Sequence, residues 1–200
     1  MKLLVATTNK GKIREIKRLL EGLPVEIFHT GDPGYENIVE APEDQDTFEG
    51  NAIQKAMHYG DISGLPTVAE DAGLTIPSLD GWPGVKSARV ADSDDERISL
   101  VLKKLSELED EDREAAFVSV VAFYNPEDGL TETFPGFCSG QILHDPQGVN
   151  GFGYDPIFFH PGFGTSLAEL STEEKNEISH RGQSFRAFAG WLREHLTDKP

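Results

Sequence analysis

The stretch TVAEDAGLTI, residues 67–76, places two adjacent carboxylates, Glu70 and Asp71, between a β-branched run and a second apolar run. An ionised carboxylate taken out of water is costly unless it is paired, so any fold of this chain must bring cations or donors to this segment. Neighbours in an extended chain point to opposite faces, so both acids reach one site only if a strand ends between them. Gly73 predicts such an end, with PTVAE and LTIP as a strand pair around residues 71–73.

Cations are in short supply. The 200 residues hold 18 Lys and Arg against 35 Asp and Glu, for a formal charge of −17. That balance argues against a general nucleic-acid or anionic-membrane binder, both of which need a basic footprint. Any phosphate must therefore be met by local basic residues. No apolar segment is long enough to span a bilayer, the start MKLLVATTNKGK has too short an apolar run for a signal peptide, and the single Cys138 makes no intrachain disulfide. These features predict a cytoplasmic protein. The acidic run at residues 91–114 reads as a solvated helix, with Ile98, Val101, Leu102, Leu105 and Leu108 on its apolar face.

Along the chain, LLVAT, a polar Gly-containing loop and KIREIKRLLEG predict strand, loop and helix, with Gly22 as the stop. VEIFH is a second strand, and Thr47 opens a helix carrying Phe48, Ala52, Ile53 and Ala56. AAFVSVVAFY and TETFPGFCSGQIL flank the turn NPEDG as a long hairpin. A short strand IFF, a capping box from Ser171 to Glu174 and a closing amphipathic helix, SFRAFAGWLREHL, complete the reading. The predicted class is α/β, one long mixed sheet with helices packed about it.

Four segments carry chemistry. TTNKGK, residues 7–12, sits where a helix N-terminus offers amide donors, and Asn9, Lys10, Gly11 and Lys12 add donors, charge and close backbone approach. Read alone it is equally an ordinary loop with solvated lysines, and it lacks the spacing of a Walker loop. Glu43, Glu70 and Asp71 form an acidic set suited to a hard cation such as Mg²⁺, or simply an acidic strand end. NGFGYDP, residues 150–156, interleaves glycines with Phe152 and Tyr154, a pattern for stacking on a planar ligand or for a tight turn with core aromatics. In EEKNEISHRG, Lys175 precedes a His180-Arg181 step that reads as a loop between two helices, where Arg181 suits a base carbonyl or phosphate. His180 reads as structural rather than as a proton shuttle.

Taken in order, TTNKGKIREI, TFEGNAIQKA, AEDAGLTI, GWPGVKSAR, GFGYDPIFF and EEKNEISHRGQ resemble the successive motifs of the inosine/xanthosine triphosphate pyrophosphatases, over essentially the whole chain. The resemblance implies a long central mixed sheet flanked by helices, two lobes with a nucleotide cleft, Mg²⁺ dependence, a homodimer and a purine nucleoside triphosphate as substrate. It puts Thr7, Thr8, Asn9, Lys10, Gly11, Lys12 and Lys55 on the triphosphate, and Glu43 and Asp71 at the metal, with Asp71 as the base. Phe152, Gly153, Tyr154, Asp155, Lys175, His180 and Arg181 would hold the base and sugar. Two positions depart from the family pattern. Ala72 stands where a substrate-facing Ser is usual, and Gly50 replaces a Glu that would complete a capping box with Thr47. The alternatives are a Maf-like pyrophosphatase for pyrimidine or modified nucleotides and a module that senses a purine nucleotide without cleaving it.

Overall fold

Strand β1 (Lys2–Val5) buries Leu3, Leu4 and Val5, and the period of two sends them to opposite faces of the sheet. The computed structural model describes residues 1–108 and 113–197. After β1 come α1 (Lys10–Leu19), β2 (Glu26–His29), α2 (Phe48–Ser63), β3 (Thr67–Thr75) and α3 (Asp94–Leu105). The chain continues through β4 (Glu114–Tyr124), β5 (Thr131–Ile142), β6 (Phe158–His160), β7 (Thr165–Ser166), α4 (Thr172–Ile178) and α5 (His180–Thr197). Among the described residues the strands form one seven-stranded sheet, ordered β2-β1-β3-β4-β5-β6-β7. β1 runs parallel to β2 and β3, while β6 is antiparallel to β5 and β7, so the sheet is mixed as the sequence predicts.

The chain divides into two compact units, each discontinuous in sequence. Unit 1 comprises Met1–Asp71, Ser119–Gly136 and Arg181–Pro200; unit 2 comprises Ala72–Val118 and Phe137–His180. In unit 1, Leu3 and Val5 pack with Ile16 and Leu20 of α1 and Phe185, Phe188 and Leu192 of α5. Leu4 packs on the other face with Ala52, Ala56 and Tyr59 of α2. Alternation along β1 thus decides which helix covers which face. Unit 2 has its own core, in which Ile98, Val101 and Leu105 of α3 meet Leu74, Phe117, Ile142, Ile157 and Phe158.

Four expectations are corrected. β3 does not break at Gly73 but runs unbroken to Thr75, because Gly73, Leu74 and Ile76 are buried and a ladder group left unpaired there would be costly. The His180-Arg181 step is not a loop: α5 starts at His180, four residues ahead of the predicted amphipathic stretch. IFF is split, with Ile157 closing a short 3₁₀ turn and β6 starting at Phe158. The acidic helix is present but shorter than expected: α3, capped by a Ser93/Glu96 box, ends at Leu105, Leu108 lies past its end, Glu114 already belongs to β4, and residues 109–112 lie outside the described residues.

At Gly50 the structure changes the sequence expectation. Thr47 still caps α2, its Oγ1 accepting from the Gly50 amide at 3.0 Å. A Cβ on Gly50 would lie 2.9 Å from the Gln45 Cβ, and the Gln45 amide is tied to Asn51 Oδ1 at 3.0 Å, so the loop has little room to retreat. Replacing a helical Gly ordinarily gains about 1 kcal/mol, and this contact cancels it. Gly50→Glu is therefore expected to leave the thermal unfolding midpoint unchanged or lower; a higher midpoint would show that the loop yields.

Candidate active site

The unbroken course of β3 sends Glu70 and Asp71 to opposite faces of the sheet, and each acid has its own cationic partners. Asp71 faces α2, where Asn51 and Lys55, one helical turn apart, share a face. Asn51 Nδ2 donates to Asp71 Oδ2 at 3.0 Å, and Lys55 Nζ donates to Asp71 Oδ1 at 3.2 Å. The same ammonium donates to Glu43 Oε1 at 2.7 Å. Burial pushes the Asp71 carboxyl above its ordinary range, only partly offset by Lys55 and Asn51. Burial opposes the charge on Lys55 as well, but Asp71 and Glu43 together outweigh it and hold its proton above the usual lysine value. The result is a charged lysine beside a carboxylate made more basic than usual.

On the other face, Glu70 accepts from Arg181 Nε and Nη2, each at 3.0 Å, and from Ser119 Oγ at 2.9 Å. Lys12 Nζ lies 3.1 Å from Glu70 Oε2. Arg181 Nη1 donates to Glu15 Oε2 of α1 at 2.6 Å. Burial works against the Arg181 charge, and Glu70 and Glu15 more than restore it. Burial lowers the Lys12 pKa, with Glu70 opposing the shift. Arg181 is only 2% exposed and meets two buried acids.

The TTNKGK segment behaves as a capped helix start. Asn9 Oδ1 accepts from the amides of Gly11 at 2.9 Å and Lys12 at 3.1 Å, and Thr7 Oγ1 accepts from the Asn9 amide at 3.2 Å. Thr8, Asn9 and Lys10 are exposed and Thr7 is half-buried. Lys10 and Lys12 therefore separate: one lies at the surface, the other turns to Glu70.

In unit 2, Lys175 Nζ donates to Asp155 Oδ2 at 2.6 Å and lies 4.7 Å from the Phe152 ring centroid. Asp155 Oδ2 also accepts from the Phe152 amide at 2.9 Å, and the Gly153 amide donates to Asp94 Oδ2 at 2.8 Å. The loop can close this tightly only through Gly151, at φ +75°, where a Cβ would fall 2.1 Å from Asp155 Oδ2. Tyr154 is buried with its hydroxyl donating to the Ser87 carbonyl at 2.8 Å, and burial pushes its pKa up to about 12. His180 is buried and stacks on Phe117 with ring centroids 4.7 Å apart, in keeping with a structural role. Ala72 is half-buried and brings no hydroxyl.

Of the residues named from sequence, Glu43, Lys55 and Asp71 come together as one group, and Phe152, Asp155 and Lys175 as another. Lys12 and Arg181 converge on Glu70 instead. Sequence reasoning missed Asn51, Glu15 and Ser119. Only Asn51 carried a usable signal, four residues before Lys55.

Among the described residues no group of three or more His, Cys, Asp or Glu side chains is arranged to hold a metal. Glu43 and Asp71 nevertheless converge on one cation, the Lys55 ammonium, and both are hard oxygen donors. Two carboxylates fit Mg²⁺, which keeps several waters and binds substrate phosphate rather than sitting in an all-protein cage.

Residues 3–191 match the model of the Ham1 family. A dITP/XTP pyrophosphatase of Geobacter sulfurreducens is 43% identical over 198 residues, covering 98% of this chain and 96% of the relative. One from Acinetobacter baumannii is 45% identical over 194 residues, covering 93% and 92%. The solved structure of a HAM1 protein from Coxiella burnetii superposes with a TM-score of 0.88 at 38% identity, covering 97% of this chain and 99% of that one. With the match spanning both units and every motif discussed above, the chain belongs to the Ham1 family.

Proposed function

We propose that this chain hydrolyses the non-canonical purine nucleoside triphosphates dITP, ITP and XTP to the nucleoside monophosphate and pyrophosphate. Relatives named dITP/XTP pyrophosphatase support the reading at the level of reaction and substrate class. The observation that carries it is the Glu43–Lys55–Asp71 group, which sets a buried, proton-accepting carboxylate beside a fixed positive charge. Water attacks phosphorus and the α–β anhydride opens, pyrophosphate leaving with the bridging oxygen. Asp71 Oδ1 takes the proton of the attacking water. Lys55 and Lys10 neutralise phosphate charge, and Lys12, released from Glu70, adds to them. No covalent intermediate on the protein is required.

Glu43 and Asp71 would hold Mg²⁺, which when bound neutralises phosphate charge and polarises the anhydride oxygens. Phe152 offers its ring to the base, with Lys175 and Asp155 fixing that ring's loop. Arg181 serves as the counter-charge of Glu15 and Glu70. No helix among the described residues is long and apolar enough to cross a membrane. The family resemblance supports a cytoplasmic homodimer, a state that light scattering of the purified chain measures.

The test is a pyrophosphate assay on the full chain with Mg²⁺ and, in turn, ITP, dITP, XTP, GTP and ATP. The relatives are named for dITP and XTP, whose bases present a 6-oxo acceptor where adenine presents a donor, and a site built for one mispairs with the other at ~1–3 kcal/mol. The expected kcat/KM for ITP is therefore at least about tenfold that for ATP. Release of orthophosphate in place of pyrophosphate, or equal values for ITP and ATP, overturns the reading.

A further inference from the structure

Asn51 lies on α2 with no exposed surface, and both ends of its amide are used. Nδ2 donates to Asp71 Oδ2 at 3.0 Å, and Oδ1 accepts from the backbone amide of Gln45 at 3.0 Å. The orientation follows from the partners, since a carboxylate only accepts and a peptide N–H only donates. Asn51 is thus a planar link from the acid on β3 to the loop that carries Glu43, two residues before Gln45. Asp in its place would set two carboxylates against each other, Ala would drop both bonds, and Gln would be one methylene too long.

The two oxygens of Asp71 are held differently. Oδ2 goes to Asn51, a neutral group that is fully buried and bonded at both ends of its amide, so phosphate does not compete for it. Oδ1 goes to Lys55, a cation that a triphosphate competes for. Glu43 likewise bonds to Lys55 of α2. When Lys55 turns to substrate, the contacts it makes to Asp71 and Glu43 weaken together, whereas those of Asn51 do not.

We infer that Asn51 is a positioning residue for the reaction: it anchors Asp71 through Oδ2, leaves Oδ1 as the working oxygen, and keeps the Glu43 loop in register with it. This rests on the pyrophosphatase reading above. The link is set before substrate arrives and persists through turnover. A near-attack geometry that depends on one carboxylate rotamer is sensitive to losing such an anchor.

Asn51→Ala and Asn51→Asp are compared with the wild-type chain in single-turnover hydrolysis of ITP with Mg²⁺ and folded enzyme in saturating excess, where ITP sets the amplitude and an unfolded fraction leaves the rate constant unchanged. The expected result is a rate constant about 10- to 100-fold lower in Asn51→Ala, lower still in Asn51→Asp, with KM for ITP within about threefold of wild type. Hydrogen exchange at the Gln45 amide gives a readout that needs no activity: it should quicken at least about tenfold in Asn51→Ala. Should both variants fail to fold, the wild-type chain decides by itself. Adding a non-hydrolysable α,β-methylene analogue of ITP with Mg²⁺ should leave the Gln45 amide as protected as before, and loss of protection overturns the inference. A folded Asn51→Ala variant within twofold of the wild-type rate also overturns it. Absence of any wild-type turnover instead overturns the parent reading.

Discussion

Asp71→Asn should retain the fold and lose pyrophosphate release by ~10²-fold or more, the usual loss when a general base is removed. The replacement matches in shape but cannot take a proton. It also cannot satisfy both of its neighbours, since Asn51 Nδ2 and Lys55 Nζ are donors and a primary amide has one acceptor oxygen. One donor is left facing an amide N–H, at about 1–3 kcal/mol if it finds no other partner. Burial already disfavours the ionised acid, as its raised pKa records, so losing that charge recovers part of the cost. A modest fall in melting midpoint with a collapse in turnover is the expected pair of results, from thermal unfolding and a pyrophosphate assay. Retention of a tenth of the wild-type rate would remove Asp71 from the chemistry.

Arg181→Ala is expected to damage the fold first. The guanidinium holds Glu15 and Glu70 together inside unit 1, and its removal leaves two buried acids with one cation fewer between them. Breaking a buried ion pair from one side typically costs 3–5 kcal/mol, roughly the scale expected here. Denaturant unfolding measures it. The Glu15→Gln, Arg181→Ala double variant should be less unstable than the sum of the two single ones, because the first change removes one of the stranded charges. A loss under about 1 kcal/mol for Arg181→Ala would mean that water or Lys12 takes over the pairing. Arg181→Lys should rescue only partly, since an ammonium cannot reproduce the fork that reaches two carboxylates at once.

β1, β2, α1, α2, β4 and β5 lie within a few residues of where periodicity places them. The caps at Thr47 and Ser171 and the long strands β4 and β5 have local causes, readable from neighbours a few residues apart. The continuous β3 was not legible, because a Gly in a strand pattern suggests a break and only burial on both faces overrides it. The start of α5 was hidden for a related reason: its first turn is polar, and what buries it is the cluster of Glu15, Glu70, Ser119 and Ser184. Glu43 and Asp71 were legible as acids suited to a cation, but Lys55 joined them only through resemblance, as no spacing rule joins a loop, a helix and a strand. Asn51 lay within a quoted motif, one helical turn before Lys55, but its bond to the Gln45 amide has no signal in the sequence.

The ion cluster around Arg181 also has a place in time. Its bonds span 111 residues to Glu70 and 166 to Glu15. On the ribosome both acids emerge long before their guanidinium, and a nascent chain that stops short of residue 181 has Lys12 beside Glu70 but lacks the cation that joins it to Glu15. Such a chain has every reason to keep that corner hydrated and open, since closing it would strand charge. The two buried acids of unit 1 therefore receive their full set of cations only once translation has delivered α5.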